Sequence, residues 1–524
     1  RVYASLWTPQ ALANRRRFLI PDHQVACAVV LCRMVPALTA GVMFTCDPRN
    51  GRRDVVAISA AAGPADAVVS GAVNPEEIAV ALGETGLAVE SRSGPRALDD
   101  ARALDLARLA LRVAWALGDG QDPQDIEWTH DGARTWLLQA RPVTRVPRVA
   151  FPGSERLPAI WSNANIRDAA PFVPTAMTWS LVLPALRFML WTYPAACGYP
   201  VPRGLEVVRR FAGRGYFDVT AVQWVFYDAF GSLPAEINRA TGGHHEPIAV
   251  PAGSPFRGWK GLSRLRRLVR AARLLLRLPK IVPPRIEEVF ARVRELDAVE
   301  AGPLTNAELL DHLTRISILQ VAYGKPFMLS SSALAWQAEL EKPLRRLSPA
   351  RGEAIAAALM AGVGGVVSAQ QGTRLFDVAD AARQDPSALA WLAREPFEPG
   401  GWRALPADAP FRAALAKFLE EFGHRSVYEA EVATPRWNED PSWLIEQVRH
   451  ILDGHGRRPQ EAARERREAA EREVAKLTWL RRPQIRWLAA RAREAAALRE
   501  RAKSALVAQV GPLVTDAALP EDLP

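Results

Sequence analysis

The chain has 524 residues, a net charge of +10, 49% hydrophobic residues and four cysteines. That length suits three or four domains with real apolar cores. It contains no apolar run of about 18 residues and no leader pattern, so neither a membrane span nor secretion is expected.

Cys27, Cys32, Cys46 and Cys197 have no CxxC spacing, and read as reduced packing residues of a cytoplasmic protein. Arg is spread along the whole chain, so the positive charge is a compositional bias and not a nucleic-acid patch.

Taken in chain order, the Arg15-Arg16-Arg17 run reads as a solvated helix face. Alternating patterns follow as far as residue 146. The most informative of them are Asp125-Ile126-Glu127-Trp128 and Leu137-Leu138-Gln139-Ala140-Arg141-Pro142. If residues 124–129 and 134–141 pair around Asp131-Gly132-Ala133, the period of two puts Asp125 and Glu127 on one face, with Ile126 and Trp128 on the other. A three-residue loop sets Gln139 opposite Asp125, keeps Arg141 on the face of Gln139, and adds Trp136 and Leu138 to the apolar face. Carboxylate and amide oxygens are hard ligands of the kind Mg²⁺ prefers, and an adjacent Arg can grip a phosphate. The alternative reading is a solvated hairpin face carrying one surface ion pair.

Residues 147–158, opened by Pro147 and holding Pro152 and Pro158, read as a linker between domain 1–146 and a mainly helical domain 159–524. In that domain Thr241-Gly242-Gly243-His244-His245 reads as a loop. From Lys260 to Lys280, leucines and arginines recur at helical spacing. This basic amphipathic helix either lies on an anionic membrane surface or packs inward with its arginines in water. The prolines from Pro279 to Pro284 are expected to separate helices. Gly423-His424-Arg425, with Glu429, Glu431 and Pro435-Arg436-Trp437, offers either a proton-accepting His424 or a brace between helices. Residues 458–508 read as a helical hairpin or long arm, broken between two helices near Pro483.

Several of these segments resemble motifs of the phosphoenolpyruvate synthase, pyruvate phosphate dikinase and rifampin phosphotransferase superfamily. They are Arg33-Met34-Val35-Pro36, Gly41-Val42-Met43-Phe44-Thr45, Asp47-Pro48, Val68-Val69-Ser70-Gly71-Ala72-Val73 and the two hairpin strands, in family order. Two departures stand out: Cys32 where the family often has Gln, and Gly63-Pro64-Ala65-Asp66 where it has Gly-Leu-Gly-Glu. The resemblance implies an α+β chain, the C-terminal half of an ATP-grasp domain followed by a large helical acceptor domain. It makes Glu127 and Gln139 the Mg²⁺ pair, Asp125 a supporting carboxylate, Arg141 a catalytic contact to the terminal phosphates, and Met34 and Val35 the adenine hinge.

Domain order is closest to rifampin phosphotransferase-like proteins. The reaction implied splits ATP to AMP and inorganic phosphate and passes a phosphoryl group through a carrier histidine to a small acceptor, pyruvate-like or a hydroxylated apolar compound. No Gly-rich Ser-His-Ala carrier motif occurs in the sequence. The expectation is therefore a fragment that binds part of Mg-ATP, depends on a phosphohistidine domain supplied by missing sequence, and does not turn over alone. The competing expectation is a non-catalytic module, with an apolar ligand or a partner held by Trp-rich helices around Trp179, Trp191 and Trp224.

Overall fold

The computed structural model describes residues 2–31, 33–69, 71–84, 86–118, 120–164, 166, 170–240, 245–298, 305–331, 334–362, 367–394, 399–454 and 458–508. Helix α1 (Pro9–Arg17) leads into an extended stretch and then strands β1 (Thr39–Phe44) and β2 (Val55–Ala62), helix α2 (Ala65–Val69), strands β3 (Glu76–Gly83) and β4 (Gly86–Ser93), helix α3 (Asp100–Gly118), and strands β5 (Gln124–His130) and β6 (Thr135–Pro142). The six strands form one antiparallel sheet in the order β4-β3-β2-β1-β5-β6.

Alternation sets the layers. Met43, Ile58, Ile78, Ile126 and Trp128 point to one face and pack against Ala103, Leu106 and Ala110 of α3. The other face is left to short and polar side chains. Gly41 is required where β1 meets β2, because a Cβ there would lie 1.8 Å from the backbone oxygen of Ser59.

The 147–158 segment is packed rather than loose. Phe151 is fully buried and meets Trp191 edge-on at 5.3 Å, and Arg148 pairs with buried Asp218 at 2.8 Å.

Beyond it, β7 (Trp161–Ser162), α4 (Ala176–Met189), α5 (Thr192–Ala196), β8 (Val208–Phe211) and β9 (Arg214–Asp218) precede a long helical succession. The three short strands form a second sheet, β7-β9-β8, that the sequence pattern did not reveal. The helices are α6 (Val219–Phe230), α7 (Pro234–Ala240), α8 (Gly258–Asp297), α9 (Asn306–Ser331), α10 (Leu334–Leu347), α11 (Gly352–Leu359), α12 (Val367–Arg383), α13 (Pro386–Leu392), α14 (Pro410–Phe422), α15 (Ser442–Leu452), α16 (Pro459–Leu477) and α17 (Arg482–Ala508). The architecture is thus α+β, with the helices concentrated after the larger sheet.

Three expectations need correction. The prolines do not divide α8, which runs through Pro279, Pro283 and Pro284. Arg15 is not solvated: it is 7% exposed, bonds Asp22 at 2.7 Å and lies over the Trp7 ring at 5.2 Å. Trp179, Trp191 and Trp224 are core residues, 4%, 7% and 6% exposed, and do not line an open apolar pocket. The Thr241–His244 portion of the glycine-histidine motif lies outside the described residues. Residues 458–508 form α16 and α17, which share a core cluster with α10 and α11, and Pro483 lies in the first turn of α17, where its missing N–H costs nothing.

Candidate functional site

The open face of the larger sheet gathers the polar residues. On β5, Ile126 and Trp128 are fully buried toward α3, which turns Asp125 and Glu127 to the opposite side. The observed register places Asp125 across from Arg141 and Glu127 across from Gln139. Gln139 therefore does not face Asp125 as expected. The turn holds four residues, Asp131 to Arg134, and a bulge beside Glu127 absorbs one more. Each change slides the register by one residue. Two slides restore the original parity, so all four side chains still share one face.

Past the bulge the parity differs. Trp128 pairs with Leu137 and Thr129 with Trp136, so Trp136 and Leu138 do not join the apolar face. They stay 36% and 50% exposed on the edge strand, and the Trp136 indole N–H donates to Asp131 at 2.7 Å. Ala140, opposite Ile126, packs against the core instead.

Opposed residues of an antiparallel pair have Cα atoms roughly 5 Å apart. Arg141 donates through Nε to Asp125 Oδ2 at 2.9 Å, and its side chain is 63% exposed against 15% for Asp125. Among the described residues, the Glu127 carboxylate and the Gln139 amide have no hydrogen-bond or ion-pair partner. Two oxygen donors thus face each other unengaged, with a guanidinium on the next pair along. No group of three or more His, Cys, Asp or Glu side chains suited to a metal occurs among the described residues. A cation held here would take two protein oxygens and complete its shell from its ligand, a division that suits Mg²⁺ on a phosphate chain.

The same row continues across the sheet, since Val42 pairs with both Glu127 and Ser59, and Ser59 with Glu77. Ser59 Oγ donates to Glu77 at 2.7 Å. Sequence reasoning missed these neighbours, because nothing local shows that β2 and β3 lie beside β1. Met34 and Val35 lie in the stretch before β1; Met34 is 89% exposed and Val35 half-buried. The structure brings Asp125, Glu127, Gln139 and Arg141 together and leaves the Met34 side chain in solvent.

The helical cluster around His424 is a braced loop. Gly423 sits so close to Asn438 that a Cβ would meet its Oδ1 at 1.6 Å. Arg425 bonds Glu429 at 2.5 Å and Gln371 at 2.6 Å, and Arg436, 2% exposed, donates to Ser426 at 2.9 Å. Glu431 is buried and accepts from the Thr175 backbone at 3.0 Å, Thr175 Oγ1 at 2.8 Å, Thr178 Oγ1 at 2.6 Å and the Ala433 backbone at 3.0 Å. It thereby ties this loop to the start of α4. Burial alone would raise its pKa, but the hydrogen bonds from Thr178, Ala433 and Thr175 outweigh it and hold the carboxyl below its ordinary value. His424 makes no such bond: its Nε2 is enclosed without a partner. Burial, then the neighbouring Arg425 charge, push its pKa down to about 4.

Comparison with known proteins matches two separate stretches of the chain to family models. Residues 1–95 and 83–151 match the family model of the pyruvate phosphate dikinase AMP/ATP-binding domain, and residues 324–500 match that of the rifampicin phosphotransferase fourth domain. These matches support placing the chain in the phosphoenolpyruvate synthase, pyruvate phosphate dikinase and rifampicin phosphotransferase superfamily. Across both parts it is similar to rifampicin phosphotransferase of Streptomyces sviceus, 27% identical over 90% of this chain and 56% of the relative. It is also similar to prodigiosin synthesizing transferase PigC of Serratia marcescens, 26% identical over 86% of this chain and 55% of the relative. Phosphoenolpyruvate synthase of Pyrococcus furiosus is 30% identical over 29% of this chain and 22% of its own length. The chain spans about half the length of the curated relatives that match most of it.

Proposed function

We propose that this chain supplies the nucleotide-binding sheet and the acceptor-side helices of an ATP-dependent, dikinase-type phosphotransferase. The observation that carries the reading is the shared face of Asp125, Glu127, Gln139 and Arg141, two of whose members have no partner among the described residues, inside the segment that matches an AMP/ATP-binding domain. Glu127 and Gln139 would hold Mg²⁺, whose bound charge neutralises phosphate oxygens. Arg141, steadied by Asp125, turns its remaining N–H donors to the terminal phosphates. Met34 and Val35 would supply the adenine hinge.

On the acceptor side the proposal gives His424 the task of taking a proton from a hydroxyl. Burial keeps the ring neutral at pH 7 and at the same time makes it a weaker base than the pKa near the working pH that general-base transfer favours. The acceptor class is pyruvate-like or a hydroxylated apolar compound, and the phosphoryl carrier is a histidine outside these 524 residues.

Calorimetric titration of the purified chain with Mg-ATP tests the core of this reading. Binding that needs Mg²⁺ and is lost in both Glu127→Ala and Arg141→Ala is the expected result. Binding indifferent to both substitutions would reject it. Turnover by this chain alone would reject the external carrier.

A further inference from the structure

The first half of α8 presents a face to solvent that is apolar and cationic at once. Between residues 258 and 286 stand nine Lys and Arg and no Asp or Glu. The inward face is settled: Arg264, 5% exposed, pairs with Asp228 at 2.9 Å, and Ala271 and Leu278 are buried. The outward face keeps apolar side chains that packing would ordinarily cover. Trp259 is 89% exposed, Leu262 43%, Val269 42% and Leu276 56%.

Leu262, Val269 and Leu276 repeat every seven residues, and so form one stripe roughly 21 Å long at 1.5 Å per residue. Arg266, Arg273 and Arg277 are exposed beside it. None of these three has an acidic partner among the described residues. At its far end the stripe meets a shallow groove where Leu276 and Pro279 adjoin Trp336, which in turn packs edge-on against half-exposed Trp487 at 5.3 Å.

We propose that this face of α8 docks on an acidic phospholipid surface, with the helix lying in the plane of the headgroups. Charge complementarity selects the partner. Unpaired arginines flanking an apolar stripe satisfy phosphates while the leucines enter the acyl boundary, the arrangement of an interfacial helix. A second copy of the chain would bring arginine against arginine. A nucleic acid would take the arginines and leave Leu262, Val269 and Leu276 in water. No described helix is long and apolar enough to cross a membrane, so the contact is peripheral.

Vesicle flotation of the full chain tests this. The protein should float with phosphatidylcholine vesicles containing phosphatidylglycerol and stay below with phosphatidylcholine alone. The triple variant R266Q/R273Q/R277Q should weaken binding on the order of 100-fold, since each basic residue near an acidic surface contributes roughly a factor of five. The triple variant L262S/V269S/L276S should lose quenching of tryptophan fluorescence by brominated acyl chains. Both sets are solvent-facing, and unchanged thermal melts will show that the fold is kept. Failure to float at low salt, or equal flotation by the serine variant, would overturn the proposal. So would duplex DNA binding tighter than the vesicles and indifferent to the serine substitutions.

Discussion

Replacing Arg141 with Ala separates a structural ion pair from a phosphate contact, because the two roles differ in size. Arg141 is 63% exposed and its partner Asp125 15%; a pair this open contributes about 0–1 kcal/mol to folding. A charge-assisted hydrogen bond from the same guanidinium to a phosphate contributes roughly 1.5–3 kcal/mol, about 10- to 150-fold in Kd. The expected outcome is therefore a melting temperature within a few degrees of the parent and a loss of Mg-ATP affinity in that range. Arg141→Lys should fall between, since it keeps the charge and loses the fork. Asp125→Asn should weaken binding less than Arg141→Ala, because Arg141 then loses only its steadying partner. Titration calorimetry and a thermal melt on the same preparations give both readouts. An affinity within twofold of the parent, or a large fall in melting temperature with affinity intact, would refute the phosphate role and leave only a surface ion pair.

His424, with its pKa pushed from 6.5 to about 4 by burial, resists protonation in the folded state. Its contribution to stability is complete above pH 6.5 and is lost as pH falls toward 4, a change on the order of 3 kcal/mol; His424→Gln should flatten urea midpoints across that window. Glu431 has the opposite chemistry and a lower window, its folded pKa lying below 4.5, so its contribution is present above that value and fades beneath it. Glu431→Ala removes the acceptor for the four donors from Thr175, Thr178 and Ala433. At roughly 1 kcal/mol each, about 4 kcal/mol should be lost, read from the urea midpoint. Gly41→Ala places a methyl 1.8 Å from the Ser59 oxygen and should cost about 1–3 kcal/mol or more, with a matching fall in Mg-ATP affinity as β1 and its Val42 row are displaced.

Much of the site was legible because it depends on parity alone. The alternation in Asp125-Ile126-Glu127-Trp128 assigns faces without knowledge of the partner strand, and Gln139 and Arg141 are two apart on theirs. The pairing itself was not legible, since turn length and a bulge are set by local backbone geometry at Asp131 to Arg134 and beside Glu127. The two errors cancelled in parity before the bulge and did not cancel after it. That is why the polar set survived while Trp136 and Leu138 moved to the wrong side. The Ser59 and Glu77 continuation needed the strand order, which no local pattern encodes.

Helix α8 shows tertiary packing overriding a local rule. Three interior prolines, at about 3 kcal/mol each, argued for a break near Pro279 to Pro284. Yet Leu278, Val282, Ile286, Val289 and Val293 form one buried stripe against Leu498, Ala502 and Ala505 of α17. Five such side chains contribute roughly 1.5–3 kcal/mol each on burial, enough to offset the prolines. The same helix therefore uses its second half to anchor on α17, while its first half holds an arginine-flanked apolar stripe at the surface. Burial of the one half fixes the orientation of the other, and this is what keeps Leu262, Val269 and Leu276 facing outward instead of rolling into the core.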